Sequence, residues 1–171
     1  MIMQVQIDTR EHKKERERIE QQLDALQIQH FRSKLFVGDY MSLDNPRLVI
    51  DRKKDLQELC GNVTQQHERF KAELQRAEQQ GISIIILCEH GEGINSLSDV
   101  FFWDNPRRKD HKFIQVNGKP KYVFIPEHKR AISGKTLYKT LATIRDRYHV
   151  RLEFCEKEDT GKRIVELLNG E

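Results

Sequence analysis

The segment Ile82-Ser83-Ile84-Ile85-Ile86-Leu87 is the most apolar run in the chain. A strand wetted on one face alternates polar and apolar side chains, and this one barely does so. It reads as an inner strand of a sheet covered on both faces. It ends at Cys88-Glu89-His90. Such a strand needs layers above and below it, and this requirement limits what the rest of the chain can be.

The flanking segments supply those layers. Val5 and Ile7 belong to a first strand that ends at Asp8. Ile19, Leu23 and Leu26 follow the spacing of one buried helical face and predict a helix over 12–28, charged elsewhere. Phe31 to Val37 alternates like a strand, and Gly38-Asp39-Tyr40 reads as a turn or bulge. Leu48-Val49-Ile50 reads as a short strand after a turn at Asn45-Pro46, delivering Asp51, Arg52 and Lys53 at its end. Helices are expected at about 54–62 and 65–79, the second with Phe70, Leu74 and Ala77 on one face and Gly81 as its stop. Leu137, Leu141, Ile144 and Tyr148 stripe a further helix. Val150 to Cys155 then reads as a strand and 159–169 as a last helix. Residues 91–130, rich in Gly, Pro, aromatic and basic residues, read as an irregular excursion with short elements. The expected fold is α/β: a central mixed sheet flanked by helices on both faces, in one domain over 1–171.

Several function classes are excluded or expected at this level. No run approaches the roughly 18 apolar residues of a membrane span. Asp8 and Arg10 come too early for a secretory signal, so a cytoplasmic protein is expected. Cys60, Cys88 and Cys155 form no CxxC pair, which argues for reduced thiols and against zinc. The net charge of +3 permits a polyanionic partner. Its distribution says more, because Arg107, Arg108, Lys109, Lys112, Lys119, Lys121, Lys129 and Arg130 crowd one stretch.

Four acids, Asp8, Glu11, Asp39 and Asp51, fall at strand ends or turns, where one sheet can bring them together. Residues two apart on a strand share a face, so Asp51 and Lys53 can enter one site while Arg52 points away. Carboxylates beside a lysine suit phosphodiester hydrolysis. The acids hold Mg²⁺, the metal acidifies a water, and the lysine orients that water and stabilises the oxyanions. The same residues also suit a plain surface: Asp after a strand is often a helix cap, and Asp-Arg-Lys is a common solvated string.

The ordered set Ile7-Asp8-Thr9-Arg10-Glu11, Val37-Gly38-Asp39-Tyr40 and Val49-Ile50-Asp51-Arg52-Lys53 resembles the XPF-type nuclease domain. That family opens on V-D-x-R-E and continues with G-D and an E-R-K-x-x-x-D block. Leu56 to Val63, Arg69-Phe70, Ile82 to Glu89 and Ile132 to Leu137 resemble its following elements. The match covers most of the chain outside 91–130. The resemblance implies a restriction-endonuclease-like fold and a Mg²⁺- or Mn²⁺-dependent DNA endonuclease selective for flap, fork or branched DNA. It implies Asp39, Asp51 and Asp8 as metal-binding residues, and Lys53 and Glu11 with them as catalytic residues. Arg10, Arg52 and Arg69 would support the site or contact phosphate. DNA is the implied partner, and pairing into a homodimer is implied because relatives pair through this domain. The chain departs from the pattern twice: Asp51 stands in place of the family's Glu, and Gln57 where its trailing Asp falls. The sequence carries no tandem helix-hairpin-helix module and no helicase, so it reads as a stand-alone nuclease domain.

Beside such a site the basic residues of 107–130, Arg107 and Arg108 among them, are expected to contact phosphate. Gly134-Lys135-Thr136 is not a P-loop, since Lys129 stands where the first glycine belongs. As a helix start it offers free N–H groups and Lys135 to a phosphate. Glu89 is an additional candidate carboxylate. Phe101-Phe102-Trp103 is expected to pack the excursion onto the sheet. The rival reading is the same fold with a weak or spent site, acting as a DNA-binding or protein-interaction module.

Overall fold

The computed structural model of the chain describes residues 3–170, so Met1, Ile2 and Glu171, the ends of the expected domain, lie outside the described residues. Among the described residues the strands are, in chain order, β1 (Gln4–Ile7), β2 (Gln29–Arg32), β3 (Tyr40–Ser42), β4 (Asn45–Lys53), β5 (Ser83–Cys88), β6 (His111–Val116), β7 (Lys119–Phe124) and β8 (Arg151–Phe154). The helices are α1 (Lys13–Ala25), α2 (Leu56–Val63), α3 (His67–Gln79), α4 (Leu97–Val100), α5 (Gly134–Tyr148) and α6 (Thr160–Leu168).

Six strands form one sheet in the order β2-β1-β3-β4-β5-β8. β1 runs parallel to β2 and antiparallel to β3, which is antiparallel to β4, while β4, β5 and β8 are mutually parallel neighbours. The sheet is therefore mixed, as expected. The pleat splits the apolar residues of β4 and β5 between two cores. Val49, Ile84, Ile86 and Cys88 pack with Leu56, Leu59, Phe70, Leu74, Leu137 and Leu141 of α2, α3 and α5. Ile50, Ile85 and Leu87 pack with Ile19 and Leu23 of α1 and with Ile164 and Leu167 of α6. The run at 82–87 is buried on both faces because each face has its own helical layer.

Three expectations are corrected by backbone hydrogen bonding. The segment 31–37 is not one strand: β2 stops at Arg32, Ser33 N makes the last bond to Ile7 O, and then side chains replace the ladder. Leu35 N donates to Asp8 Oδ2 at 2.7 Å, and Arg10 Nη2 donates to Leu35 O at 2.9 Å. Leu35 and Val37 are still buried, which is why the segment alternates without being a strand. The turn before β4 is Leu43-Asp44 rather than Asn45-Pro46. Pro46, with no N–H to give, falls where the β3–β4 register shifts. The excursion contains a regular hairpin, β6–β7, closed by Asn117-Gly118 with both residues at positive φ, as a two-residue hairpin turn requires. Trp103 packs on the larger core, as expected of the aromatic group, while Phe102 remains exposed. Among the described residues no helix is long and apolar enough to cross a membrane.

Candidate active site

The alternation that splits the cores also builds the site. Asp51 and Lys53 continue the face of Val49, toward α2 and α3, whereas Arg52 continues the face of Ile50, toward α1 and α6. They border a cleft of about 760 Å³. Asp51 is 6% exposed and Lys53 7%. Lys53 Nζ lies 2.9 Å from Asp51 Oδ2 and 5.6 Å from the centre of the Phe70 ring. Burial works against the lysine charge, but the Asp51 and Asp39 carboxylates outweigh it and hold the Lys53 pKa above the ordinary lysine value. Lys53 is thus a fixed ammonium at neutral pH.

Gly38, with φ of +72°, turns the chain into β3, and a Cβ there would press on Ile50 O at 3.1 Å. The turn aims Asp39 along β4. Asp39 N donates to Ile50 O at 2.8 Å, and Arg52 N donates to Asp39 Oδ2 at 2.8 Å. Burial first, then the negative charges of Asp51 and Glu11, push the Asp39 carboxyl well above the ordinary aspartate value. A buried carboxyl crowded by neighbouring carboxylates favours a cation beside it. Among the described residues no three His, Cys, Asp or Glu side chains form a ready-made metal cage. Hard carboxylate donors that are few in number and open to a cleft fit Mg²⁺ or Mn²⁺, which complete their shell with water and phosphate oxygens.

The structure separates the remaining sequence-identified residues into two groups. Asp8 does not border the cleft. Its Oδ1 accepts from Arg10 N (2.6 Å) and Nε (2.9 Å), and its Oδ2 from Arg10 Nη2 (2.8 Å) and Leu35 N (2.7 Å). With both oxygens so engaged, Asp8 departs from the metal-ligand role the resemblance implies. Glu11 borders the cleft but is caged. Its Oε1 accepts from His12 N and Arg52 Nη2 at 2.9 Å, and its Oε2 from Arg52 Nε at 3.0 Å and Tyr40 Oη at 3.2 Å. Arg52 is 7% exposed and reaches past Glu11 to Glu89 Oε1 at 2.7 Å. It lines the cleft, but its guanidinium is committed to these two carboxylates, which matches the supporting alternative of the implied role and not phosphate contact. Glu89 also accepts from Arg18 Nη2 at 2.6 and 2.7 Å and from Thr160 Oγ1 at 2.5 Å. This buried network ties α1, β4, β5 and α6 together behind the cleft.

The second group faces solvent. Arg10, Arg69 and Arg107 line the cleft, whereas Arg108 and Lys135 are exposed away from it, the Lys135 ammonium lying 5.7 Å from the Phe101 ring. The sequence reading missed Glu73 and Arg76, which also line the cleft; Gly38 N lies 3.4 Å from Glu73 Oε1. Their spacing from Arg69, i, i+4 and i+7 on α3, was the available signal. Gln57 Nε2 donates to Asn105 Oδ1 at 2.6 Å, so the residue in the trailing-acid position is engaged with the excursion.

A mixed six-stranded sheet with helices on both faces, delivering acids and a lysine from adjoining strand ends into one cleft, defines a restriction-endonuclease-like domain. The chain belongs to the ERCC4 domain family, whose sequence profile matches residues 7–167. Two solved structures of XPF from Aeropyrum pernix, one of them in complex with DNA, share the fold. Each has a TM-score of 0.61 at 18% identity; they cover 97% and 98% of this chain and 63% and 64% of their own. The chain therefore spans less than two thirds of those proteins. It matches no curated protein sequence.

Proposed function

We propose that the chain is a divalent-metal-dependent DNA endonuclease that hydrolyses phosphodiester bonds. The observation that carries this reading is the convergence of Asp39, Asp51 and Lys53 on one cleft rimmed by arginines. Asp39 and Asp51 would hold Mg²⁺ or Mn²⁺, which when bound supplies an acidified water and neutralises phosphate charge. Lys53, held by Asp51 and Phe70, orients the attacking water and stabilises negative charge on the non-bridging oxygens. Arg10, Arg69, Arg76 and Arg107 hold phosphates along the rim. Glu11, Arg52 and Glu89 keep the strand ends in register, and Asp8 fixes Arg10. The DNA bound to the Aeropyrum XPF supports DNA as the partner. Selectivity for flap, fork or branched DNA and pairing of two copies are the finer parts of the proposal.

The test incubates wild type and Asp39→Ala with linear, flap and fork DNA plus Mg²⁺ or Mn²⁺, and with a chelator. Wild type should cleave only with the metal, and Asp39→Ala should be slower by about a hundredfold or more. If both are equally inert while both bind DNA, the spent-site reading stands instead.

A further inference from the structure

The hairpin β6–β7 stands apart from both cores. Its strands pair with each other and with no strand of the main sheet, and none of its residues is buried. His111 lies opposite Phe124 and Phe113 opposite Tyr122, so four rings share one face of the ribbon. The Phe113 and Tyr122 rings meet edge-on at 4.5 Å, and the His111 and Phe124 rings lie 4.0 Å apart. Phe113 is 58% exposed, Tyr122 67% and Phe124 42%. An aromatic platform of this kind left in water marks a binding surface.

Charge identifies the occupant. Lys112, Lys119 and Lys121 alternate with the rings and fall on the opposite face. From Pro106 to Arg130 there are eight Lys or Arg residues and two Asp or Glu, a net of +6 in a chain whose total is +3. Two such arms face to face would repel, which disfavours a second copy as the occupant. A polyanion with exposed flat bases matches both features. The root of the arm adjoins the cleft. Asn105 Nδ2 donates to Ile132 O at 2.8 Å and closes the base of the excursion, and Gln57 of α2 is bonded to the same Asn105. Gln57 and Arg107 line both the active-site cleft and a second cavity bounded by residues 126–132.

We propose that the β6–β7 hairpin is an arm for single-stranded DNA. Unpaired bases stack on His111, Phe113, Tyr122 and Phe124, while the lysines and the arginines at its root neutralise the phosphates of the strand leaving the cleft. The proposal rests on the nuclease reading of the cleft and adds to it a separate binding surface, outside the cleft, for the unpaired strand. Duplex bases are already stacked on one another and cannot use the platform.

The test measures binding, in the presence of a chelator, of a labelled oligothymidylate, an abasic strand of equal length and a blunt duplex. Wild type is compared with Phe113→Ala/Tyr122→Ala and with Phe113→Leu/Tyr122→Leu, and circular dichroism and sedimentation check fold and mass. Both double variants should bind oligothymidylate about tenfold or more weakly, with duplex affinity nearly unchanged. Wild type should prefer the thymidylate to the abasic strand, and the variants should not. Unchanged single-strand affinity, an equal loss on duplex, rescue by leucine, or a dimer that the variants convert to monomer would each overturn the proposal. Failure of the cleft to cleave any DNA overturns the nuclease reading but leaves this binding difference measurable.

Discussion

Arg52 carries its charge at a position 7% exposed, between Glu11 and Glu89. Burial opposes that charge, but hydrogen bonding and attraction to Glu11, and then the charge of Glu89, raise its pKa above the ordinary arginine value. Arg52→Met leaves Glu11 without its guanidinium partner and Glu89 with only Arg18 and Thr160. We expect a loss of roughly 3–5 kcal/mol in urea unfolding, and a loss below about 1 kcal/mol would contradict this role. Asp8 behaves differently with pH. Burial alone would push its carboxyl up, but the hydrogen bonds from Arg10 and Leu35 N prevail and hold it below the ordinary aspartate value. A lowered folded-state pKa gives stability that is present above the unfolded-state value of about 4 and is lost as pH falls from there through the folded-state value. Acid titration of stability in wild type should show this loss, and Asp8→Asn should lack that part of it while being less stable at neutral pH.

Between elements, close backbone approach sets a strict limit at the start of α5. A Cβ on Gly134 would lie 2.3 Å from Trp103 O and 2.5 Å from Val100 O, both backbone atoms that cannot swing aside. Gly134→Ala should force α4 and α5 apart and cost about 1–3 kcal/mol, seen as a lowered thermal midpoint; an unchanged midpoint would show that the contact gives way freely. The elements also show where periodicity suffices. α3 and α5 are legible because Phe70, Leu74 and Ala77, and Leu137 and Leu141, recur at helical spacing. The stretch 31–37 misleads because the apolar side chains alternate while the backbone partners change from a strand to Asp8 and Arg10. The Asn117-Gly118 turn of the hairpin was visible in the sequence, but the surrounding prolines and basic residues gave the segment the look of a loop.

Across the whole molecule, charge is unevenly divided. The arm from Pro106 to Arg130 carries +6 in a chain whose total is +3, so the rest of the chain is net acidic. DNA binding should therefore weaken steeply with salt and depend on the arm. Replacing Lys112, Lys119 and Lys121 by glutamine should flatten the slope of log affinity against log salt by about two to three units. An unchanged slope would mean that these lysines touch no phosphates.

The sequence by itself determined the layered α/β plan and the facing of Asp51 and Lys53, because a pleated strand fixes the alternation of neighbouring side chains whatever surrounds it. It also put Asp39 at a turn, where one sheet can bring it to that strand. Only the tertiary structure decided which acids have both oxygens engaged. Asp8 and Glu11 look like Asp39 in sequence, yet their oxygens are engaged by Arg10 and Arg52, and Glu89 is joined to Arg18 across 71 residues. A carboxylate's availability depends on which donors the fold brings within hydrogen-bonding distance, and distance along the chain carries no record of that.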